Sequence, residues 1–279
     1  MDQLFNSVTY QISKLITKEY STSFSAAVGF LEKDKQLAIY SIYGFVRYAD
    51  EIVDTFYCVD KKQLLESFEN EYYQASKSGV SINPVIHSFQ LTAKKYNIDE
   101  ELVQAFLKSM KFDLSKTRYR NDQEMNEYIY GSADVIGLMC LKVFVSRDEA
   151  LYNRLKVSAM SLGSAFQKVN FLRDIKNDTE QLKRQYFPEL VNGILTGEAK
   201  NKIIEKINLD FEESYEGIKL LPGRSKLAVT IAYCFYKTLL KKIQKKPAEI
   251  IMVSRIRISG FRKILLLIKT YLSYVLNLI

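Results

Sequence analysis

Two stretches of this chain place aspartates four residues apart inside an apolar helical pattern. The first is Asp50-Glu51-Ile52-Val53-Asp54; the second is Asp174-Ile175-Lys176-Asn177-Asp178, ending a run that begins at Gln167. Positions i and i+4 share one helix face a turn apart, so both carboxylates of each pair point the same way. Like charges so placed repel unless they face water or share a cation. Tyr43, Arg47, Asp50 and Asp54 fall within about 60° of one another on a helical wheel. Around that stripe lie Ile39, Ile42, Phe45, Val46, Ala49, Ile52, Val53 and Phe56, and a helix apolar nearly all round is buried, so its acids should line a cavity. Gln167, Asn170, Asp174 and Asp178 repeat the design within about 80°, with Val169 and Leu172 behind them.

One Asp-x-x-x-Asp in a helix is ordinarily a solvated face. Two copies on apolar helices, each with amide or guanidinium companions, point to a metal site formed where the stripes face each other. Oxygen donors without histidine or thiolate suit magnesium or manganese. Magnesium keeps waters and takes a few carboxylates plus substrate phosphates, which Arg47 and Arg173 would also grip.

The elements that must hold these stripes are helical. Only 4 Pro and 11 Gly punctuate 279 residues that are 47% apolar, and 3-to-4 spacing recurs without strand-like alternation. The expectation is an all-α, single-domain chain over residues 1–279. A first helix is expected over about Phe5 to Ile16, followed by the hydroxyl cluster Ser21-Thr22-Ser23 at a helix start, where serines act as caps or set hydroxyls and amides against a phosphate. Asp34 to Phe56 carries the first stripe. Lys61 to Lys77, Pro84 to Tyr96 and Asp99 to Phe112 follow, the first two as surface-packed helices; Arg118 to Gln123 reads as a loop and Glu124 to Val145 as one helix. Gly131, Ala133 and Gly137 within it suggest close approach by another helix or a long ligand. Leu151 to Asp178 carries the second stripe, the loop through Tyr186-Phe187-Pro188 ends at proline, Ala199 to Ile218 and Ser225 to Ile243 are helices, and Glu249 to Ile279 closes the chain.

Composition excludes several classes. With His87 alone, histidine-based di-iron, zinc and triad chemistry is disfavoured, and His87 reads as a packed or half-exposed helix residue. No Gly-x-Gly-x-x-Gly or Walker loop is present. Cys58, Cys140 and Cys234 have no metal spacing and read as buried thiols in a reducing compartment; the N-terminal residues Met1 to Asn6 show no leader pattern, so a cytoplasmic protein is expected. The net charge of +8 is concentrated at the end, where residues 241–279 hold nine of the 40 Lys and Arg but one of the 32 acids, Glu249. Without a stacking platform this region does not suggest nucleic acid. It is expected to make peripheral contact with an anionic membrane face, while Ile264 to Ile279, too short and polar to span a bilayer, reads as a closing core helix with interfacial contact as the alternative.

From about Tyr20 to Arg262 the chain resembles the squalene/phytoene synthase family, the head-to-head isoprenyl diphosphate synthases. The resemblance rests on Ser21-Thr22-Ser23-Phe24, Tyr43-x-x-x-Arg47-x-x-Asp50-x-x-x-Asp54, Tyr130-Gly131, Gln167-x-x-Asn170-x-x-Arg173-Asp174-x-x-x-Asp178, Tyr186-Phe187-Pro188 and Arg255-Ile256-Arg257-Ile258-Ser259. It implies a helical bundle around a central cavity. It also implies that Asp50, Asp54, Asn170, Asp174 and Asp178 hold magnesium, that Ser21, Ser23, Arg47, Gln167, Asn170, Arg173 and Arg255 bind diphosphate, and that Tyr43, Tyr130, Tyr186 and Tyr236 line the reaction cavity. Asn177-Asp178 stands where many bacterial relatives have Glu-Asp, and Lys183-Arg184-Gln185-Tyr186 where they have Gly-Arg-x-Tyr. These departures bear on substrate detail and leave the aspartates intact.

The chemistry the resemblance implies is condensation of two allylic diphosphates through a cyclopropylcarbinyl diphosphate, with isoprenoid diphosphates as partners. Arg173-Asp174 looks like the phytoene branch of carotenoid synthesis, with geranylgeranyl diphosphate as substrate and no NADPH. Squalene or dehydrosqualene formation from farnesyl diphosphate is the alternative, because cavity depth sets chain length. A non-enzymatic helical interaction protein is the contrasting class, and in that case Asp50→Ala and Asp174→Ala would leave its role untouched. Nothing in the sequence sets an oligomeric state.

Overall fold

The computed structural model describes residues 2–56 and 58–279. Met1, at the head of the stretch read for a leader, lies outside them. Among the described residues the only β-type pairings are two isolated bridges, Arg118 with Gln185 and Val191 with Ile194. The rest is thirteen α-helices, a short π-helix and their connections: α1 (Asp2–Tyr20), α2 (Thr22–Val28), α3 (Lys33–Asp54), α4 (Lys61–Ser78), α5 (Pro84–Tyr96), α6 (Glu100–Asp113), α7 (Asp122–Ile129), α8 (Val135–Val145), α9 (Glu149–Glu180), α10 (Gly197–Leu220), α11 (Gly223–Gln244), α12 (Ala248–Val253) and α13 (Gly260–Val275).

Local chemistry sets these boundaries. The side chains of Ser21, Asp60, Asn83, Asn121, Asp148 and Thr196 each accept a backbone N–H from the first turn that follows, satisfying a donor the helix cannot. Gly79 ends α4 in the left-handed conformation at φ 78°, where the missing Cβ removes the steric cost. One apolar cluster is built mainly from α3, α5, α6 and α8, a second from α9, α10, α11 and the loop after α9; Leu162 and Tyr233 pack against both and make one body of them. His87 is buried on α5, which sits deeper than a surface-packed helix.

One stretch expected to be a single helix is interrupted. Between α7 and α8, Tyr130–Asp134 widens into a π-helix, and Val135 N–H donates to the Tyr130 carbonyl five residues back. A hydrophobic period carries no mark of one inserted residue, so the interruption was invisible in the pattern. The small residues there answer to helix packing. A Cβ on Gly131 would lie 2.7 Å from the Ala105 carbonyl oxygen of α6, and one on Gly137 2.6 Å from the Ala159 carbonyl oxygen of α9. The closing stretch divides into α12 and α13, because Ser254 is extended and Ser259 caps α13 by accepting from Arg262 N–H at 3.4 Å.

The last helix is also not the core element expected. Only Thr270 of α13 is buried; Leu266, Leu267 and Tyr274 are half-buried against α2 and α11, and the opposite face is open. The cysteines depart from expectation too. Cys58 is exposed, while Cys140 and Cys234 are partly covered and burial pushes both thiols up.

Candidate active site

A cavity of about 500 Å³ lies between α3 and α9, walled also by α2, α8, α10 and α11. Its interior is apolar, with Val28, Leu31, Ile39, Ile42, Phe106, Leu141, Phe144 and Leu155 among the wall residues. Its charged groups are those of the two stripes, Arg47 and Asp50 from α3 and Arg173 and Asp174 from α9, joined by Arg255, with Tyr43, Gln167, Asn170, Ser21 and Tyr236 among its neutral polar ones. Three-to-four spacing on two buried helices therefore puts the acids of both on one opening.

Each carboxylate but one is held by an arginine. Arg47 Nη1 donates to Asp50 Oδ2 at 2.7 Å, its other Nη to Glu51, and its guanidinium lies 4.3 Å over the Tyr20 ring. Arg173 donates to both Asp174 oxygens at 3.0 and 2.5 Å, while Arg255, from the break before α13, reaches the same carboxylate at 2.7 Å. Arg184, in the loop after α9, places Nη1 2.6 Å from Asp54 Oδ1. Among the described residues Asp178 has no ion pair, although it is 9% exposed.

These surroundings shift the acids strongly. Burial, then the neighbouring Asp54, pushes Asp50 up to about 6 against the pull of Arg47 and Arg184. Burial, then Asp174 and Asp54, pushes Asp178 up to about 8. Asp54 on α3 thus acts on Asp178 of α9, so the two rows converge in space as well as lining one opening. Such repulsion is what an added cation relieves. The donors are all oxygen, and among the described residues no three His, Cys, Asp or Glu side chains converge closely enough to enclose a metal alone. The set fits a cation that shares a few carboxylates with water and phosphate oxygens. Arg47 Nε is buried without a partner, an orphan donor that an anion could satisfy.

The remaining sequence-chosen residues are placed unequally. Ser21 caps α2 on the cavity wall, accepting from Phe24 N–H at 3.3 Å, whereas Ser23 is half-buried off that wall. Tyr43 stacks on Phe24 and Tyr236 on Phe166, and the Tyr236 hydroxyl donates to Asn170 Oδ1 at 3.3 Å. Asp54 and Asp178 sit beside the opening and outside the cavity wall. Tyr130, expected in the wall, is 42% exposed and lies outside it, because it sits where the π-helix breaks the register. Tyr186 is also absent from the wall; it is buried in a stack, 3.9 Å from the Phe171 ring and near Tyr128 and Tyr119.

Three residues of the site were missed. Tyr128, two before the chosen Tyr130, lines the cavity and donates its hydroxyl to Asp113 Oδ2 at 2.8 Å. Asp113 is buried, and burial pushes it up to about 7 although Arg184 and Tyr128 pull the other way. Arg184 donates to the Asp113 carbonyl at 2.9 Å, tying α3, α6 and the loop after α9 together. A signal for Asp113 existed: it continues the apolar stripe Leu102, Phe106, Met110 of α6, where an acid is out of place.

Residues 17–192, which include both acidic stripes, match the squalene/phytoene synthase family. The chain belongs to that family. Among squalene/phytoene synthase relatives, it is 26% identical to phytoene synthase of Arthrospira platensis over 269 residues, covering 87% of this chain and 86% of that protein. It is 26% identical to the chloroplastic phytoene synthase 1 of Zea mays, covering 82% of this chain and 60% of the maize protein's length. The fold superposes on a dehydrosqualene synthase crystal structure with a TM-score of 0.83 at 22% identity, covering 98% of both chains, and on a squalene synthase from Alicyclobacillus acidocaldarius with 0.74 at 20% identity, covering 86% of this chain and 94% of that one. The all-helical fold of this squalene/phytoene synthase family member is thus the one its sequence pattern called for.

Proposed function

We propose that this chain is a prenyl transferase that condenses two allylic isoprenoid diphosphates head to head, taking geranylgeranyl diphosphate to phytoene. The observation that carries the reading is one opening where paired carboxylates and three arginines meet, leading into an apolar cavity of about 500 Å³. Diphosphate belongs at the opening and hydrocarbon inside.

Arg47, Arg173 and Arg255, with the Ser21 hydroxyl, hold the diphosphates. When the carbon–oxygen bond of the first substrate breaks, its electron pair leaves with diphosphate, and fixed guanidinium groups stabilise that charge as it develops. Magnesium or manganese bound by Asp50, Asp54, Asn170, Asp174 and Asp178 would add fixed positive charge at the same place. The allylic cation left in the cavity is attacked by the double bond of the second substrate. Loss of one proton closes a cyclopropylcarbinyl diphosphate; a second ionisation and a second proton loss release the hydrocarbon, so no reductant is consumed.

The walls serve this chemistry by exclusion. An apolar cavity keeps water from the cation, and the rings of Tyr43 and Tyr236 offer it their faces. Burial pushes the Tyr43 phenol up to about 12, so at neutral pH it stays a neutral hydroxyl beside the cation.

Phytoene is favoured by the phytoene synthases among the relatives and by the Arg173-Asp174 pair; the dehydrosqualene and squalene synthases among the structural neighbours keep the farnesyl alternative in the test. Purified protein is incubated with magnesium and either geranylgeranyl or farnesyl diphosphate, with and without NADPH, and the products are weighed by mass spectrometry. A forty-carbon hydrocarbon without NADPH is the expected result. A thirty-carbon product rejects the phytoene assignment, and no product from either substrate rejects the enzyme.

A further inference from the structure

The outer face of α13 is apolar from end to end. Phe261, Ile264, Leu265, Ile268, Leu272 and Val275 fall within about 100° of one another on the helical wheel. All six are exposed, from 50% for Leu265 to 73% for Phe261. The opposite face carries Leu266, Leu267 and Tyr274, which pack on Ala27 of α2 and on Leu227, Ile231 and Phe235 of α11. Soluble helices turn polar residues outward; this one is apolar on the face it shows to solvent.

Charge is arranged around one end of it. Lys242 Nζ donates to the Arg257 carbonyl at 2.6 Å, and Lys263 Nζ to Thr22 Oγ1 at 3.0 Å, so the end of α11, the break and the start of α13 form one basic end. The exposed Lys241, Lys245, Lys246, Arg257 and Arg262 belong to it, with Glu249 as the one acid of the region. Arg255, from the same break, reaches Asp174, so this end adjoins the cavity opening.

We propose that α13 is a membrane-surface helix that seats its outer face in the interface of an anionic bilayer, with the basic end against the headgroups. At 16 residues it extends about 24 Å and is too short to span. Among the described residues one run is long and apolar enough to cross a membrane, Asp122–Val145, and it lies mostly buried in the protein. An in-plane helix uses what α13 has: bulky apolar groups on one face and positive charge at the edge. A second copy of the chain fits less well, since it would cover the apolar face and leave the basic end without the anions that a lipid headgroup surface supplies. Ala27 and Ala232, which pack in the cluster beneath α13, also line the cavity, so the bilayer would lie one helix away from the cavity wall.

The test uses the full chain and sedimentation with vesicles of phosphatidylcholine containing phosphatidylglycerol. Binding is expected at low salt, and pure phosphatidylcholine vesicles should bind weakly. Ile268→Gln combined with Leu272→Gln, both exposed, should weaken binding about tenfold or more while leaving the thermal midpoint and helical content unchanged. Lys245→Gln combined with Lys246→Gln should weaken it by a similar factor and flatten its salt dependence. The chain has no tryptophan, so Leu265→Trp supplies a single reporter whose emission should shift to the blue with anionic vesicles, while Ile82→Trp, in the α4–α5 connection, should not shift. Absence of vesicle binding overturns the proposal, as does binding indifferent to the α13 substitutions or a shift at Ile82→Trp. A concentration-dependent dimer in which Leu265→Trp shifts without vesicles assigns the face to a second copy and equally overturns it.

Discussion

Arg184 holds Asp54 at 2.6 Å while its other Nη donates to the backbone carbonyl of Asp113 at 2.9 Å. The last residue of α3, the end of α6 and the loop after α9 are thereby fixed to one guanidinium. Its planar fork makes both contacts at once, which a lysine ammonium could not reproduce in the same geometry. The acid of the first stripe that lies nearest Asp178 in its electrostatic effect is thus positioned by a residue from the other side of the opening.

Replacing that arginine should cost both stability and turnover. Arg184 is 6% exposed, and its loss leaves Asp113, also buried, without a counter-charge. Arg184→Gln is expected to destabilise by roughly 3 kcal/mol, with much of the loss recovered in Arg184→Gln combined with Asp113→Asn. Urea unfolding at pH 7 measures both. Equal destabilisation of the single and the double variant would mean that the ion pair does not hold the loop.

The paired carboxylates should matter for turnover far more than for folding. Asp50→Asn and Asp174→Asn are each expected to lower kcat by about a thousandfold or more, since groups that organise charge at a leaving group act where that charge develops. Asp50→Asn should leave the thermal midpoint unchanged or raise it, because it removes the repulsion with Asp54 that helps push Asp50 up to about 6. Inorganic diphosphate with magnesium should raise the midpoint of the native chain and not that of either variant, by the mass-action rule for a ligand bound only to the folded state. A midpoint that rises equally in the variants would place the ligand elsewhere.

Much of this was legible in the chain itself. The two stripes could be read because buried helices repeat every 3.6 residues and acids interrupt an apolar pattern, so Asp50, Asp174, Arg47, Gln167 and Asn170 were found and do meet at one cavity, which Tyr236, taken from the resemblance, also lines. Tyr130 was taken from the family resemblance alone; in the fold it starts the π-helix and is exposed, while Tyr128 two residues earlier lines the cavity. Arg184 was overlooked because a loop residue has no period: its position comes from backbone pairing, with Tyr119 N–H donating to the Gln185 carbonyl and Gln185 N–H to that of Thr117. The outward apolar face of α13 was read as core for a related reason, since a helical stripe says which residues share a face and not what covers it.

Arg255 separates substrate binding from folding. It is half exposed and joins the protein through Asp174, which Arg173 holds in any case. Arg255→Gln should therefore leave the unfolding free energy from urea titration within about 0.5 kcal/mol of the native value. It is expected to raise KM for the allylic diphosphate about tenfold or more, with Arg255→Lys recovering only part of that, because one ammonium lacks the bidentate fork. Steady-state kinetics with varied diphosphate checks it; an unchanged KM would remove Arg255 from the substrate site.

A separate half-buried group sets a pH dependence. Asp134, in the π-helix, is pushed up to about 7 by burial, and Asp210 adds to this while Lys168 opposes it. Its Oδ1 is buried without a partner. The folded chain therefore keeps a proton on Asp134 that the unfolded chain gives up near pH 4, so folding stability from this group falls as pH rises from about 4 to about 7 and is level above that. Asp134→Asn removes the charge at every pH. The variant should match the native protein near pH 4 and gain on it steadily, reaching an advantage on the order of a few kcal/mol by pH 8. Urea midpoints taken across that range decide the matter: a constant offset between the two proteins would mean that Asp134 is already ionised in the fold, with Lys168 compensating it across the packed helices.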